Sequence, residues 1–172
     1  MFSRRQILVA SGGLGLAALV AGVLPKLSPG TALIDQAQAD EVFEVSHSDS
    51  EWHARLSDEQ YAILREEGTE RAYTSPLNDE HRNGTFACAG CDLALFSSAT
   101  KFDSRTGWPS FWAPLEHAVA TRQDRSFGMA RNEVHCRRCG GHLGHVFDDG
   151  PKPTGLRYCM NGLAMTFKPV AA

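Results

Sequence analysis

The hydrophobic and polar positions divide the chain into stretches with different periods. From Ile7 to Leu24 the residues are almost continuously apolar, but glycines at 12, 13, 15 and 22 make this run too weakly hydrophobic for a stable membrane span. Residues 40–50 are polar and follow no period. From Ser57 the apolar positions follow helical spacing, and after Gly68 short runs of β-forming residues alternate with turn residues.

The helical stretch carries recognisable start and stop signals. Ser57 and Gln60 have the spacing of a capping box, which predicts that a helix begins there. Gly68 is expected to end it in the left-handed conformation. Ser50 is expected to cap a shorter, earlier helix through Leu56 in the same way.

Turn residues precede the β-forming runs that follow. Asn83-Gly84 leads into residues 85–88, and Gly155 leads into residues 156–159. We therefore expect a helical N-terminal arm on a core of antiparallel sheet.

The length of 172 residues fits one domain once the leading segment is set aside. The chain is 42% hydrophobic and 22% charged, so neither wholesale disorder nor a multi-span membrane protein is indicated. We divide it into a leading segment at 1–39, a linker at 40–50 and a domain at 51–172, which we expect to be monomeric.

The leading segment has the outline of a twin-arginine export signal. Arg4-Arg5 precedes the apolar run, and Ala37-Gln38-Ala39 has the small-x-small pattern that signal peptidases cut after. Cleavage there would start the mature chain near Asp40 and place it in the periplasm or another extracytoplasmic compartment, with only transient membrane contact. An uncleaved signal that anchors the chain to the membrane is the alternative.

The charge of the mature domain argues against nucleic acid as a partner. The leading segment holds more basic than acidic residues, so its removal makes the remainder more negative than the −3 of the full chain. A negative domain repels phosphate backbones unless it carries a separate basic patch. The basic cluster in the sequence is Arg131, Arg137 and Arg138, which lies around cysteines.

Four of the five cysteines form two CxxC pairs, Cys88/Cys91 and Cys136/Cys139. Two such pairs supply four thiolates to one tetrahedral Zn²⁺, with no coordination position left open for chemistry. The glycines at 90, 140 and 141 permit the tight turns that this needs. We therefore predict one structural Zn²⁺, the alternative being two independent redox disulfides.

The fifth cysteine, Cys159, lies in a setting that favours reactivity. A lone cysteine is usually a small buried hydrophobe. In a strand, however, the period of two puts Arg157, Cys159 and Asn161 on one face, and a neighbouring cation favours the thiolate.

Two further groups of residues are candidates for the same chemistry. His142 and His145 lie in a glycine-rich segment, where they are either catalytic or structural. Trp108 and Phe111 belong to an aromatic cluster, residues 106–112, that either binds a substrate or packs in the core.

Together these motifs resemble the B-type methionine sulfoxide reductases. The resemblance covers roughly residues 51–168 and keeps the family's order. It rests on both CxxC pairs, on Gly107-Trp108-Pro109-Ser110-Phe111, on Gly141-His142-Leu143-Gly144-His145-Val146-Phe147 and on Arg157-Tyr158-Cys159-Met160-Asn161.

The resemblance implies a mainly β fold of two antiparallel sheets, a β-sandwich or open barrel, with short N-terminal helices. It implies reduction of the R epimer of methionine sulfoxide, mainly in oxidised proteins, through a cysteine sulfenic acid. Cys159 would be the nucleophile and Arg157 would support its thiolate. The sulfoxide oxygen would be bound and protonated by His142, His145 and Asn161. Trp108 would pack on the substrate methyl group, and Phe111 is the second expected substrate contact.

One position departs from the family pattern. Many members carry a resolving cysteine just before the Gly-Trp-Pro-Ser-Phe motif, where this chain has Thr106. With four cysteines on zinc, an external thiol, either a thioredoxin-like protein or a small molecule, is expected to recycle Cys159. The alternatives to a reductase are a zinc-ribbon binding module, in which Cys159 is passive, and a thiol peroxidase.

Overall fold

The computed structural model describes residues 42–125, 128 and 130–171. The predicted export signal, residues 1–39, lies outside these residues. They contain no helix that is both long enough and apolar enough to span a membrane.

Two short helices open the domain, α1 (Asp49–Arg55) and α2 (Asp58–Leu64). The predicted capping box at Ser57 and Gln60 is confirmed. The cap of α1 is Ser48 rather than the expected Ser50, because Ser48 places Glu51 at the third helical position, where its carboxylate accepts from the Ser48 backbone. Consequently α1 begins inside the segment that the sequence assigned to the linker.

The end of α2 differs from the expectation in a similar way. The left-handed residue is Glu67, with φ of 58°, and not Gly68. Gly68 donates its N–H to the carbonyl of Ala62 at 2.9 Å, and a Cβ at Gly68 would lie only 2.7 Å from that oxygen. The glycine is therefore required by close approach rather than by its φ angle.

The rest of the domain is antiparallel sheet, as predicted. A three-stranded sheet has the order β2-β1-β9, and a six-stranded sheet has the order β3-β4-β8-β7-β6-β5. The strands are β1 (Gly84–Cys88), β2 (Ala94–Ser97), β3 (Lys101–Phe102), β4 (Ser110–Phe111), β5 (Val119–Asp124), β6 (Arg131–Cys136), β7 (His142–Phe147), β8 (Arg157–Met160) and β9 (Met165–Pro169).

The core contains side chains from both sheets and both helices. Phe96 of β2 stacks on Phe111 of β4 with ring centroids 4.4 Å apart, and Phe86 of β1 meets Phe111 edge-on at 4.9 Å. Trp52 of α1 is buried, with the Arg65 guanidinium 4.9 Å from the centre of its ring. The mainly β prediction, with two antiparallel sheets and short N-terminal helices, is confirmed.

Candidate functional site

Cys159 lies on a central strand of the six-stranded sheet. On one side it pairs with Ser110 of β4, and on the other side with His145 of β7. The row continues through Glu133 of β6 to Arg122 of β5. Side chains directly opposite each other on antiparallel neighbours share one face, so five strands supply one side chain each to the face that carries Cys159.

His142 reaches the same face because β7 is irregular. Residues three apart on a regular strand point to opposite faces. Here the register of β6 with β7 shifts between Val134 and His135, which is typical of a β-bulge. As a result the rings of His142 and His145 meet edge-on with centroids 5.4 Å apart.

Gly144 allows the backbones of β7 and β8 to approach closely between the two histidines. A Cβ at this position would lie 2.1 Å from the carbonyl oxygen of Cys159. Glycine is therefore needed here to hold the histidine strand against the strand of the nucleophile.

Each histidine is oriented by a carboxylate. Nδ1 of His142 lies 2.7 Å from Glu133, and Nε2 of His145 lies 2.8 Å from Asp124. Such a pairing fixes which ring nitrogen carries the proton and which way the ring faces.

These contacts also shift the pKa values in the site. Burial alone would raise the pKa of Glu133, but hydrogen bonds from His142 and Arg122 hold it below its ordinary value. Burial lowers the pKa of His145 despite its hydrogen bond to Asp124. At neutral pH Glu133 is therefore ionised and His145 is neutral.

Nε2 of His142 is buried and has no hydrogen-bond partner in the described part of the chain. Because a buried imidazole nitrogen normally has a partner, this atom has a hydrogen-bonding position that the described residues leave unused.

Cys159 opens into a cleft of about 140 Å³. Cys159 is half-buried rather than fully buried in the core. The cleft is lined by Thr69, Trp108, Arg131, Gly144, His145, Phe147, Cys159 and Asn161. The structure thus brings Cys159, Trp108, His145 and Asn161 together around one space.

Glu70 holds two of these residues in place, and sequence reasoning did not find it. Its carbonyl accepts from Nε1 of Trp108 at 3.1 Å, and its N–H donates to the side-chain oxygen of Asn161 at 3.0 Å. Its buried carboxylate accepts from the N–H groups of Gly162 and Leu163 at 2.6 and 2.9 Å. Glu70 therefore connects the segment that precedes β1 to Trp108 and Asn161, which lie on two sides of the cleft.

Arg157 is a cation beside the nucleophile. Its guanidinium donates to both oxygens of Asp149 at 2.8 Å and lies 4.4 Å from the centre of the Phe147 ring. Hydrogen bonding to Asp149 is the main cause that raises the pKa of Arg157, and the nearby Cys159 raises it further. The guanidinium of Arg157 is thus a positive charge close to Cys159 on the same strand.

The expected substrate contact of Phe111 is wrong. Its side chain is 0% exposed and packs against Phe86 and Phe96. The physical reason is alternation: Ser110 pairs opposite Cys159, so its neighbour Phe111 points to the other face, into the core.

The other four cysteines lie together, apart from Cys159, and their sulfur atoms are all within 4.8 Å of one another. Cys88 and Cys136 are the last residues of β1 and β6, and Cys91 and Cys139 follow in tight turns. Each turn ends in a left-handed residue, Asp92 with φ of 65° and Gly140 with φ of 69°. The expected conformational role of Gly90 therefore belongs to Asp92.

The four-cysteine cluster fits a tetrahedral metal ion. Cys88 and Cys139 have sulfurs 3.7 Å apart, and Cys91 and Cys136 have sulfurs 3.5 Å apart. A tetrahedron with metal–sulfur bonds of about 2.3 Å has edges of about 3.8 Å. Hydrogen bonding to Cys136 raises the pKa of the Cys88 and Cys139 thiols, so four thiolates would need a cation to offset their repulsion. Such an ion would join β1 of one sheet to β6 of the other.

Nothing in the sequence indicated which carboxylates orient the residues of the site. Glu133, Asp124 and Glu70 belong to no motif, and their spacing from the histidines is meaningful only once the strand register is known. Glu133 is the only acid in β6, but it follows the half-buried Arg131 and the exposed Asn132, so its burial could not be predicted from the sequence.

The two sheets, the half-buried Cys159 and the histidines near it define a thiol-dependent oxidoreductase, and its four-cysteine cluster could hold a metal ion. The SelR domain model matches residues 56–169. The chain belongs to this family, the B-type methionine sulfoxide reductases.

Three relatives illustrate how close the similarity is, and each is named peptide methionine sulfoxide reductase MsrB. The protein from Thiobacillus denitrificans is 57% identical over 71% of this chain and 93% of its own length. The protein from Agrobacterium fabrum is 54% identical over 73% and 94%, and that from Leptospira interrogans is 52% identical over 73% and 97%.

Proposed function

We propose that the chain reduces the R epimer of methionine sulfoxide, mainly in oxidised proteins, with Cys159 as the nucleophile. The observation that carries this proposal is the cleft in which Cys159 meets Trp108, His145 and Asn161. The names of the relatives support the same substrate.

The reaction transfers one oxygen atom between two sulfurs. The Cys159 thiolate attacks the sulfoxide sulfur and forms an S–S bond, while the sulfoxide oxygen takes up a proton. The protonated oxygen then passes to the Cys159 sulfur as its bond to the methionine sulfur and the S–S bond break, which leaves methionine and a cysteine sulfenic acid. Cys159 loses two electrons and the sulfoxide gains two. Arg157 stabilises the thiolate before the attack.

The imidazoles supply and hold protons. His142, balanced by the ionised Glu133, delivers a proton through Nε2 and keeps its Nδ1–H on the carboxylate. His145 donates its Nε2–H to Asp124, which leaves its Nδ1 as an acceptor. Asn161 supplies an amide donor to the sulfoxide oxygen; its other contacts are the N–H of Glu70 and the carbonyl of Leu143.

Selection of one epimer follows from the two unlike sides of the cleft. Trp108 receives the methyl group, and the imidazoles receive the oxygen. With the sulfur over Cys159 and the peptide chain leading outward, one arrangement of the substituents fits. The family resemblance assigns that arrangement to the R epimer.

External thiols recycle the enzyme. A first thiol condenses with the sulfenic acid, releasing water and leaving a mixed disulfide, and a second thiol then frees Cys159. A thioredoxin-like protein or a small thiol fits this role, since position 106 is a threonine. The four-cysteine cluster holds a structural Zn²⁺ that supplies folding energy rather than chemistry.

Export by the twin-arginine route, to the periplasm or another extracytoplasmic compartment, is part of this proposal. That route carries folded proteins, so the zinc site would be filled before the thiols reach an oxidising compartment. Replacing Arg4 and Arg5 by lysine would retain the protein in the cytoplasm, as measured by cell fractionation. An unchanged distribution would contradict this part.

The deciding experiment is an assay of the purified protein on both sulfoxide epimers, with several thiol reductants, for the wild type and Cys159→Ser. The R epimer is reduced by the wild type, and Cys159→Ser loses turnover while it keeps its metal content. A zinc-ribbon binding module would be indifferent to Cys159→Ser, and a thiol peroxidase would consume hydrogen peroxide faster than the sulfoxide. Either result, or reduction of the S epimer, overturns the proposal.

A further inference from the structure

A second cleft lies beside the Cys159 cleft, and Trp108 lines both. The second cleft, of about 260 Å³, contains no residue to which the reaction above gives a role other than Trp108. It is lined by Tyr73, Asn78, Asp79, His81, Lys101, Phe102, Asp103, Gly107, Trp108 and Pro109.

Trp108, which lines both clefts, and the preceding Gly107 are held in place by hydrogen bonds on both sides. Nε1 of Trp108 donates to the carbonyl of Glu70 at 3.1 Å. The preceding carbonyl, that of Gly107, accepts from the Tyr73 backbone at 2.7 Å and from the Asn78 side chain at 3.1 Å. A substrate seated against Trp108 therefore meets the second cleft at a fixed distance.

Tyr73 forms an exposed aromatic rim at the second cleft. Its side chain is 72% exposed, yet its hydroxyl donates to the carbonyl of Arg105 at 2.7 Å, which holds the ring in place. The ring lies over Gly107, where a Cβ would be 2.8 Å from a ring carbon. An ordered aromatic ring with one free face is a contact surface for an aliphatic stem or for a cation.

The charge of the second cleft is negative on balance. Asp79 and Asp103 are exposed carboxylates on its lining, and neither forms an ion pair within the described ranges. The cation on the lining is Lys101, whose ammonium donates to the carbonyl of Asn78 at 2.7 Å. Two carboxylates against one engaged ammonium attract a basic side chain and repel an acidic one.

Because Trp108 lines both clefts, a short stretch of peptide can reach from one cleft to the other. Consecutive Cα atoms are about 3.8 Å apart, and two residues of extended chain span about 7 Å. When a methionine sulfoxide side chain occupies the Cys159 cleft, a residue one or two positions away reaches across Trp108.

We propose that the cleft formed by Tyr73, Asp79 and Asp103 is a specificity subsite that binds a lysine or arginine side chain next to methionine sulfoxide in a protein substrate. This inference rests on the proposed function. It predicts that the enzyme reduces fastest those protein-bound sulfoxides that have a basic neighbour in the sequence.

The test compares two peptides that differ at one position, with lysine or glutamate beside methionine-R-sulfoxide. The wild type should give a kcat/KM about threefold to tenfold higher for the lysine peptide. The double variant Asp79→Asn, Asp103→Asn should bring the ratio close to one, chiefly through KM. Added salt should reduce the wild-type ratio, because the contacts are exposed.

Two controls separate the subsite from general damage. Glu66→Gln removes an exposed carboxylate elsewhere and should keep the wild-type ratio. N-acetylmethionine sulfoxide, which has no flanking residue, reports on the Cys159 cleft in every variant.

Equal kcat/KM values for the two peptides in the wild type overturn the subsite and leave the proposed function standing. A preference that survives in the double variant also overturns it. If the wild type reduces neither peptide nor N-acetylmethionine sulfoxide, the proposed function fails, and the subsite fails with it.

Discussion

The hydroxyl of Thr106 lies 3.8 Å from the sulfur of Cys159. Thr106 is fixed there by Ser104, whose hydroxyl is 2.8 Å from that of Thr106 and 2.7 Å from that of Ser110. The threonine thus occupies the place from which a second thiol would reach the nucleophile.

Thr106→Cys is expected to create an internal resolving thiol. After one turnover without reductant, the variant should lose its sulfenic acid and gain a disulfide between positions 106 and 159, because the new sulfur would lie beside the oxidised one. Mass spectrometry of the alkylated protein checks this. Thr106→Ser is the matched control and should retain the sulfenic acid; a stable sulfenic acid in Thr106→Cys would contradict the prediction.

Cys136→Ser is expected to destabilise the whole domain by several kcal/mol, since it would remove one of the four ligands of the proposed Zn²⁺. Thermal unfolding and metal analysis by atomic emission measure the effect. Cys159→Ser, which removes the thiol outside the cluster, should keep both the metal and the melting temperature. Recovery of a folded, metal-free Cys136→Ser variant would show that the cluster is not structural.

Glu133→Gln tests the orientation of His142. We expect kcat/KM to fall about tenfold to a hundredfold, less than the loss of a general acid itself, because the imidazole remains but loses the carboxylate that orients it. The peptide assay under saturating reductant measures this. A variant as active as the wild type would remove Glu133 from the proposed mechanism.

The same carboxylate predicts how stability depends on pH. The pKa of Glu133 is lower in the folded chain than its ordinary value. Its stabilising contribution is therefore complete above the unfolded pKa, near 4.3, and is lost as the pH falls through the lowered folded value. Urea unfolding between about pH 3 and pH 7 should show that the free energy of unfolding falls less with decreasing pH for Glu133→Gln than for the wild type.

Glu70→Ala should disturb stability and the cleft together. The buried N–H of Gly162 would lose its acceptor at a cost of about 1–3 kcal/mol, and the partly buried N–H of Leu163 would lose its acceptor as well. Asn161 and Trp108 depend on the same segment, so KM should rise as well. Urea unfolding and steady-state kinetics measure the two effects, and the exposed Glu66→Ala is the control. A Glu70→Ala variant with unchanged stability would contradict the bonding described.

The sequence predicted the parts of this site that reside in local motifs. The CxxC pairs, the strand around Cys159 and the capping box at Ser57 are local patterns, and the structure places them as expected. What it could not predict depends on strand pairing. The bulge that brings His142 beside His145 involves β6 as well as β7, and Glu133 and Asp124 find their histidines through register.

The error at Phe111 has the same origin. Its motif is shared with Trp108, but Trp108 precedes β4 whereas Phe111 is the second residue of that strand. Once Ser110 pairs with Cys159, alternation sends Phe111 to the core. A motif identifies residues that occur together, and the sheet decides which of them face the same space.

The strand that carries Cys159, β8, is hydrogen-bonded to β4 on one side and to β7 on the other. Cys159 is paired with both neighbouring strands, so under the proposed mechanism its oxidised sulfur would have little freedom to move outward to meet a partner. The recycling molecule would have to extend its own thiol into the cleft. A small thiol, or a protein whose reactive sulfur protrudes from its surface, would regenerate the enzyme fastest. A bulky reductant would be excluded sterically.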